Sequence, residues 1–137
     1  MKKIYALGLS LLFLASCSSD DGGSSIDTSQ LTKKWYFEST IFQGQTFPYD
    51  DHEECGKDYI EFVEGGVVRQ VDIWDCEEDV YEGEWSLDGN KLTISFMGQS
   101  ATATITKLTE TEFDVKTKYD FDDDGTEETV TETHTSN

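Results

Sequence analysis

Positive charge is scarce in this chain of 137 residues: 10 Lys and Arg stand against 29 Asp and Glu, a formal net charge of −19. Such a surface repels phosphate backbones and anionic head groups, which excludes nucleic acid as a partner and membrane binding through a basic patch. The length suffices for one small domain and not for two. From Lys34 onward no helix-length amphipathic stretch occurs. No Gly-x-Ser-x-Gly elbow or glycine-rich phosphate loop is present, and neither of the two histidines has a nucleophile at recognisable spacing, so the chain reads as a non-enzyme. What it does carry is aromatic. Three Trp, six Tyr and eight Phe within a 36% hydrophobic fraction are more large apolar surface than a disordered acidic chain holds, and a folded core is expected.

Long apolar runs are also missing. The run at 4–14, behind Lys2 and Lys3, is too short to cross a bilayer as a helix but has the length of a secretory signal core. It ends at Leu14, Ala15, Ser16 and Cys17. This order of charge, apolar run, small residues and cysteine resembles the bacterial lipobox, which implies cleavage before Cys17, acylation of its thiol with chains of the palmitate class, and attachment to a membrane through lipid. Several acyl chains, each CH₂ worth about 0.8 kcal/mol on burial, hold where one would bind reversibly. The division expected is a lipoprotein signal peptide at 1–16, lipidated Cys17 with an acidic Ser/Gly tether over 17–30, and a folded domain over 31–137. Asp20 and Asp21 behind Ser18 and Ser19 resemble an export signal to the outer face of Gram-negative cells, so an outer-membrane, surface-exposed location is expected.

Setting Cys17 aside leaves Cys55 and Cys76, an even pair in an oxidising compartment, where a disulfide is the default reading. A two-cysteine metal site is the rival, and no histidine stands at zinc-knuckle spacing to either.

The rest of the chain reads as strands at 35–42, 59–63, 67–74, 80–87, 92–97, 101–107, 113–119 and 126–133, separated by turn signals such as Glu64-Gly65-Gly66, Asp88-Gly89-Asn90, Gly98-Gln99 and Asp124-Gly125. Eight consecutive runs joined by hairpins imply an all-β fold, an antiparallel eight-stranded up-and-down barrel. Period-two alternation selects an inner face of Trp35, Phe37, Ile41, Ile60, Phe62, Val71, Ile73, Tyr81, Trp85, Leu87, Leu92, Ile94, Phe96, Ala101, Ala103, Ile105, Phe113 and Val115. The large residues argue for a mostly filled barrel, while Ser39, Gly83, Ala101 and Ala103 leave slack for a shallow pocket. The last run, Thr and Glu around a lone Val130, reads as a solvated closing or edge strand, with His134 in a polar tail.

These residues resemble the small lipocalin-like lipoproteins of Gram-negative bacteria. The resemblance runs from Leu31 to about Thr133 and rests on Leu31-Thr32-Lys33-Lys34-Trp35, on Cys55 followed by Tyr59-Ile60-Glu61-Phe62, on Cys76, and on the stretch from Gly83-Glu84-Trp85 to Lys91-Leu92-Thr93-Ile94. It implies a Cys55–Cys76 disulfide and the binding of a small hydrophobic molecule.

Two further constellations remain. Asp120, Asp122, Asp124 and Gly125 follow the Asp-x-Asp-x-Asp-Gly opening of calcium loops, with Glu128 at the ninth position but Thr131 at the twelfth. Calcium is therefore one reading of this hairpin, and a solvated acidic turn is the plainer one. His52 among Asp50, Asp51, Glu53 and Glu54 is a weak candidate for a transition metal, with a solvated loop as its alternative. Phe42, Phe47, Tyr49 and Trp74 fall near the long first connection and the Cys76 loop, and together would make an apolar rim for a ligand or an envelope protein partner.

Overall fold

The structure, a computed structural model, describes residues 26–137. The signal peptide, Cys17 and most of the expected tether lie outside the described residues. The end of that tether stretch is helical. Asp27 accepts hydrogen bonds from the Ser29 backbone N–H at 3.0 Å and the Ser29 hydroxyl at 2.6 Å, capping a single turn, α1 (Thr28–Leu31). The turn delivers Leu31 into the core, where its carbonyl accepts the Trp35 indole N–H at 2.9 Å.

Nine strands follow: β1 (Lys34–Phe42), β2 (Gln45–Pro48), β3 (Tyr59–Val63), β4 (Val67–Trp74), β5 (Glu77–Asp88), β6 (Lys91–Phe96), β7 (Gln99–Leu108), β8 (Glu112–Tyr119) and β9 (Glu128–Thr135). Each pairs antiparallel with its neighbour from β3 to β9, and β1 pairs with both β3 and β9, which closes the sheet as an eight-stranded barrel. The ninth strand is an addition. β1 gives residues 34–36 to β3 and residues 39–42 to β2 along one edge, while β9 takes the other. The β1–β2 hairpin turns on Gln43 (φ 51°) and Gly44 (φ 80°), a two-residue loop in which both positions are left-handed, as the strand twist requires.

The inner face differs from the alternation reading in three places. A bulge at Glu38 shifts the register between Phe37 and Ser39, so Thr40 rather than Ile41 shares the inner side with Glu132. In β4 the phase is inverted: Gln70 pairs with inner Ile60 and Val68 with inner Phe62, which turns Val71 and Ile73 outward. Both remain covered on that side. Val71 lies opposite Tyr59 and is 1% exposed, and a Cβ on Gly56 would fall 2.5 Å from Ile73 Cδ1, so the Cys55 loop lies directly on the strand. The third difference is β9, which closes the barrel as expected but is not solvated. Val130 and His134 are buried on its inner side, with Glu132 between them.

The core of Leu31, Trp35, Ile60, Phe62, Val68, Leu92, Ile105, Phe113 and Val115 gathers toward the end where α1 sits. Phe62 meets Trp85 and Phe113 edge-on, and Trp35 packs on Phe113 with centroids 5.3 Å apart. That end is closed. Strand direction places the β6–β7 turn, the Cys76 turn and the loop after β8 at the other end. There Met97, Trp74, Val80, Tyr81 and Phe47 are the exposed large hydrophobic residues.

Candidate functional site

Between the aromatic core and the far end lies a cavity of about 410 Å³, within the range of roughly 300–1,000 Å³ typical of small-molecule sites. Its wall runs from buried Ile60, Phe62, Leu92 and Phe113 to exposed Gln99 and Ser100 by the β6–β7 hairpin. The space exists because β7 contributes only Ala101 and Ala103 opposite Ile94 and Leu92. Gly83 is not part of that slack. A Cβ there would overlap the Ser95 carbonyl oxygen and fall 2.6 Å from Phe96 Cδ1, so the glycine admits the close approach of β6 and its Phe96 ring. Ser39 lies in a second recess of about 360 Å³ with Thr40, Tyr49 and Tyr119, separated from the first by Phe37, Gln70 and Glu132, which line both.

Polar side chains enter the wall at several points: Gln99, Ser100 and Thr102 from β7, Thr117 from β8, and, deeper among the aromatic rings, Gln70 from β4 and Glu132 and His134 from β9. His134 is 4% exposed and lies between the rings of Phe37 and Phe113. Its Nδ1 stands 3.1 Å from the Phe113 carbonyl, which only accepts, so the neutral ring carries its proton there; burial depresses its pKa to about 4. Burial pushes the Glu132 carboxyl above its usual range, opposed by the neighbouring Tyr119 hydroxyl. The sequence held one signal for these groups. Counting by two from Val130 reaches Glu132 and His134.

The expected rim is only partly assembled. Phe42 and Phe47 both pack on Phe121, with centroids 5.1 and 5.3 Å away. Tyr49 stacks on Phe37 and donates a 2.5 Å hydrogen bond to buried Asp58, while Trp74 is 72% exposed. All four belong to the open end, but none lines the main cavity. Phe96, Gln99 and Ser100 stand at its entrance instead.

Cys55 and Cys76 are bonded, with Cα atoms 5.7 Å apart. Glu53 accepts from the backbone N–H groups of Asp75 and Cys76, the two left-handed residues of the β4–β5 turn, so the same loop is held by a covalent and a polar clasp. His52 is neither solvated nor open to a metal: its Nδ1 accepts from Asp58 N–H at 3.1 Å and its Nε2 donates to the Phe37 carbonyl at 2.8 Å. Asp120, Asp122, Asp124 and Glu128 do come together, one oxygen of each lying within 4.8 Å of the others. Each of these carboxylates also accepts from a loop N–H, so the turn holds itself without an ion.

Two solved structures share this architecture. A lipocalin-like protein from Bacteroides uniformis ATCC 8492 superposes with a TM-score of 0.57 at 13% identity, covering 79% of this chain and 99% of its own. An uncharacterized protein from Bacteroides eggerthii DSM 20697 gives a TM-score of 0.57 at 9% identity, covering 78% and 99%. No curated protein matches. Residues 31–115, from the Leu31 plug through the inner face of β8, match the model of the lipocalin-like domain, and the chain belongs to that family.

Proposed function

We propose that the protein is a lipid-anchored envelope lipoprotein whose barrel binds a small apolar molecule entering at the open end. The apolar cavity of about 410 Å³ carries this reading, because a filled barrel would leave no such space. The anchor rests on Lys2, Lys3, the apolar run and Leu14-Ala15-Ser16-Cys17, with the disulfide agreeing with an oxidising compartment outside the cytoplasm. The test is a fluorescence titration of the soluble domain with fatty acids, retinoid-like and aromatic molecules, read on its tryptophans. Saturable quenching that Ala103→Leu abolishes supports binding in the barrel; no saturable change with any of them returns the protein to the alternative, an accessory interaction module. For the anchor, Cys17→Ala should abolish palmitate labelling and release the protein from the outer-membrane fraction.

The convergence of Asp120, Asp122, Asp124 and Glu128 favours a second reading of that hairpin as a weak calcium site stiffening the open end. A calcium-specific rise in melting temperature, absent with matched magnesium or sodium chloride and lost in Asp122→Asn/Asp124→Asn, would support it. An equal rise in all salts means that only charge screening acts.

A further inference from the structure

Beside neutral amides and hydroxyls, the cavity lining has two titratable members, Glu132 and His134. Glu132 offers a carboxylate, and the His134 Nδ1 proton is committed to the Phe113 carbonyl, which leaves Nε2 as a lone-pair acceptor. Among the described residues no protein donor reaches that nitrogen. Among the described residues the Tyr119 hydroxyl is the protein group that favours the charged form of Glu132, no lysine or arginine lines the cavity, and none forms an ion pair with it. The carboxylate is thus short of a cation inside an apolar chamber.

The approach to the chamber has the same sign. Above Gln70, the inner side of β4 and β5 presents Asp72 opposite Asp79. Lys116 and Lys118, the basic residues of β8 nearest the entrance, alternate with inner Val115 and Thr117 and so point out of the barrel. With a chain charge of −19 this field draws in cations and repels carboxylates.

We propose that the cavity takes an amphiphile with an apolar body and a basic amine head, the ammonium seated against Glu132 and the body against Phe62, Leu92, Ile94 and Phe113. This inference rests on the ligand-binding reading above and narrows it: a fatty acid would bring a second negative charge to Glu132 in a space of low dielectric, where like charges repel most strongly. An ammonium instead supplies the cation that Glu132 lacks and a donor for the His134 Nε2.

The test compares octylamine, 1-octanol and octanoate, equal in apolar length and different in head group, by isothermal titration of the soluble domain at pH 7 in 0.15 M and 0.5 M sodium chloride. The expected result is octylamine binding at least about tenfold more tightly than octanol, octanoate weakest, and the preference surviving 0.5 M salt, which removes attraction to exposed surface charge. In Glu132→Gln, octylamine should fall to the affinity of octanol while octanol is unchanged. Should that variant not fold, the ranking and its salt resistance in the native sequence still decide. Octanoate binding as well as octylamine, an amine preference lost at 0.5 M salt, or one retained in Glu132→Gln overturns the proposal alone. Failure of all three to bind removes the ligand-binding reading with it.

Discussion

The two ends of the barrel are built on opposite terms. At the closed end, α1 and the first residues of β1 bury Leu31 and Trp35 completely and satisfy the indole N–H with a backbone carbonyl. At the open end the large apolar groups Trp74 and Met97 face water, and order comes from a disulfide, a carboxylate clasp and a histidine bonded at both nitrogens. Apolar burial holds a structure without regard to direction, while cross-links and hydrogen bonds hold a loop in one place without filling the space beneath it. The contrast shows how a small domain keeps a hollow: its core is concentrated at one end, and the other is pinned rather than packed.

The largest effect should come from breaking the closed end. Trp35→Ala removes a fully buried side chain and leaves the Leu31 carbonyl without its donor, and unfolding in urea should show a loss of about 3–5 kcal/mol. At the open end, Cys55→Ser/Cys76→Ser releases a cross-link spanning 21 residues and should cost about 3 kcal/mol by the same measurement. Hydrogen exchange then separates the ends: the double mutant should lose protection first in the loop around Gly56 and in β4, whereas Trp35→Ala should loosen α1, β1 and β8.

Acid sharpens the comparison from within. As pH falls below 6.5 the unfolded chain protonates its histidine, while the folded chain holds His134 neutral down to about 4. The stability tied to that neutral ring is whole above pH 6.5 and declines through this window, by about 2 kcal/mol between pH 6.5 and 5. Glu132 opposes it: its raised folded pKa adds stability at low pH that is lost as pH rises through that folded value. Urea midpoints across the window should fall less steeply for His134→Gln than for the native sequence. The smallest effect is expected at Trp74. Because the residue is 72% exposed, Trp74→Ser should change stability by no more than about 0.5 kcal/mol while removing the most red-shifted part of the tryptophan emission.

What the sequence disclosed followed the contrast between apolar and polar neighbours. β5, β6 and β7 alternate cleanly, so Trp85, Leu92, Ile94 and Ala103 were legible as inward-facing. β4 is apolar on both sides because the Cys55 loop covers its outer face, and two covered faces give alternation no phase to report. The bulge at Glu38 defeats counting by two for another reason, since the extra residue is invisible until the partner strand is known. β2 hid behind Gln43-Gly44, a turn whose first left-handed position is not one of the usual Asn, Asp or Gly. For β9 the contrast was too faint, because threonine and glutamate are read as solvent-facing whichever way they point. Glu132 and His134, which line the cavity between the aromatic rings, were concealed in that strand.

The position of α1 also fixes how the molecule is presented to its surroundings. The described chain begins at Ile26, packed against the core beside Leu31, so whatever holds the protein by its amino terminus grips it by the plugged base. The entrance at Phe96, Gln99 and Ser100 is the pole remote from that grip. Under the proposed anchor at Cys17, such a molecule would stand like a cup on its foot, its mouth turned to the surrounding medium and not to the bilayer below.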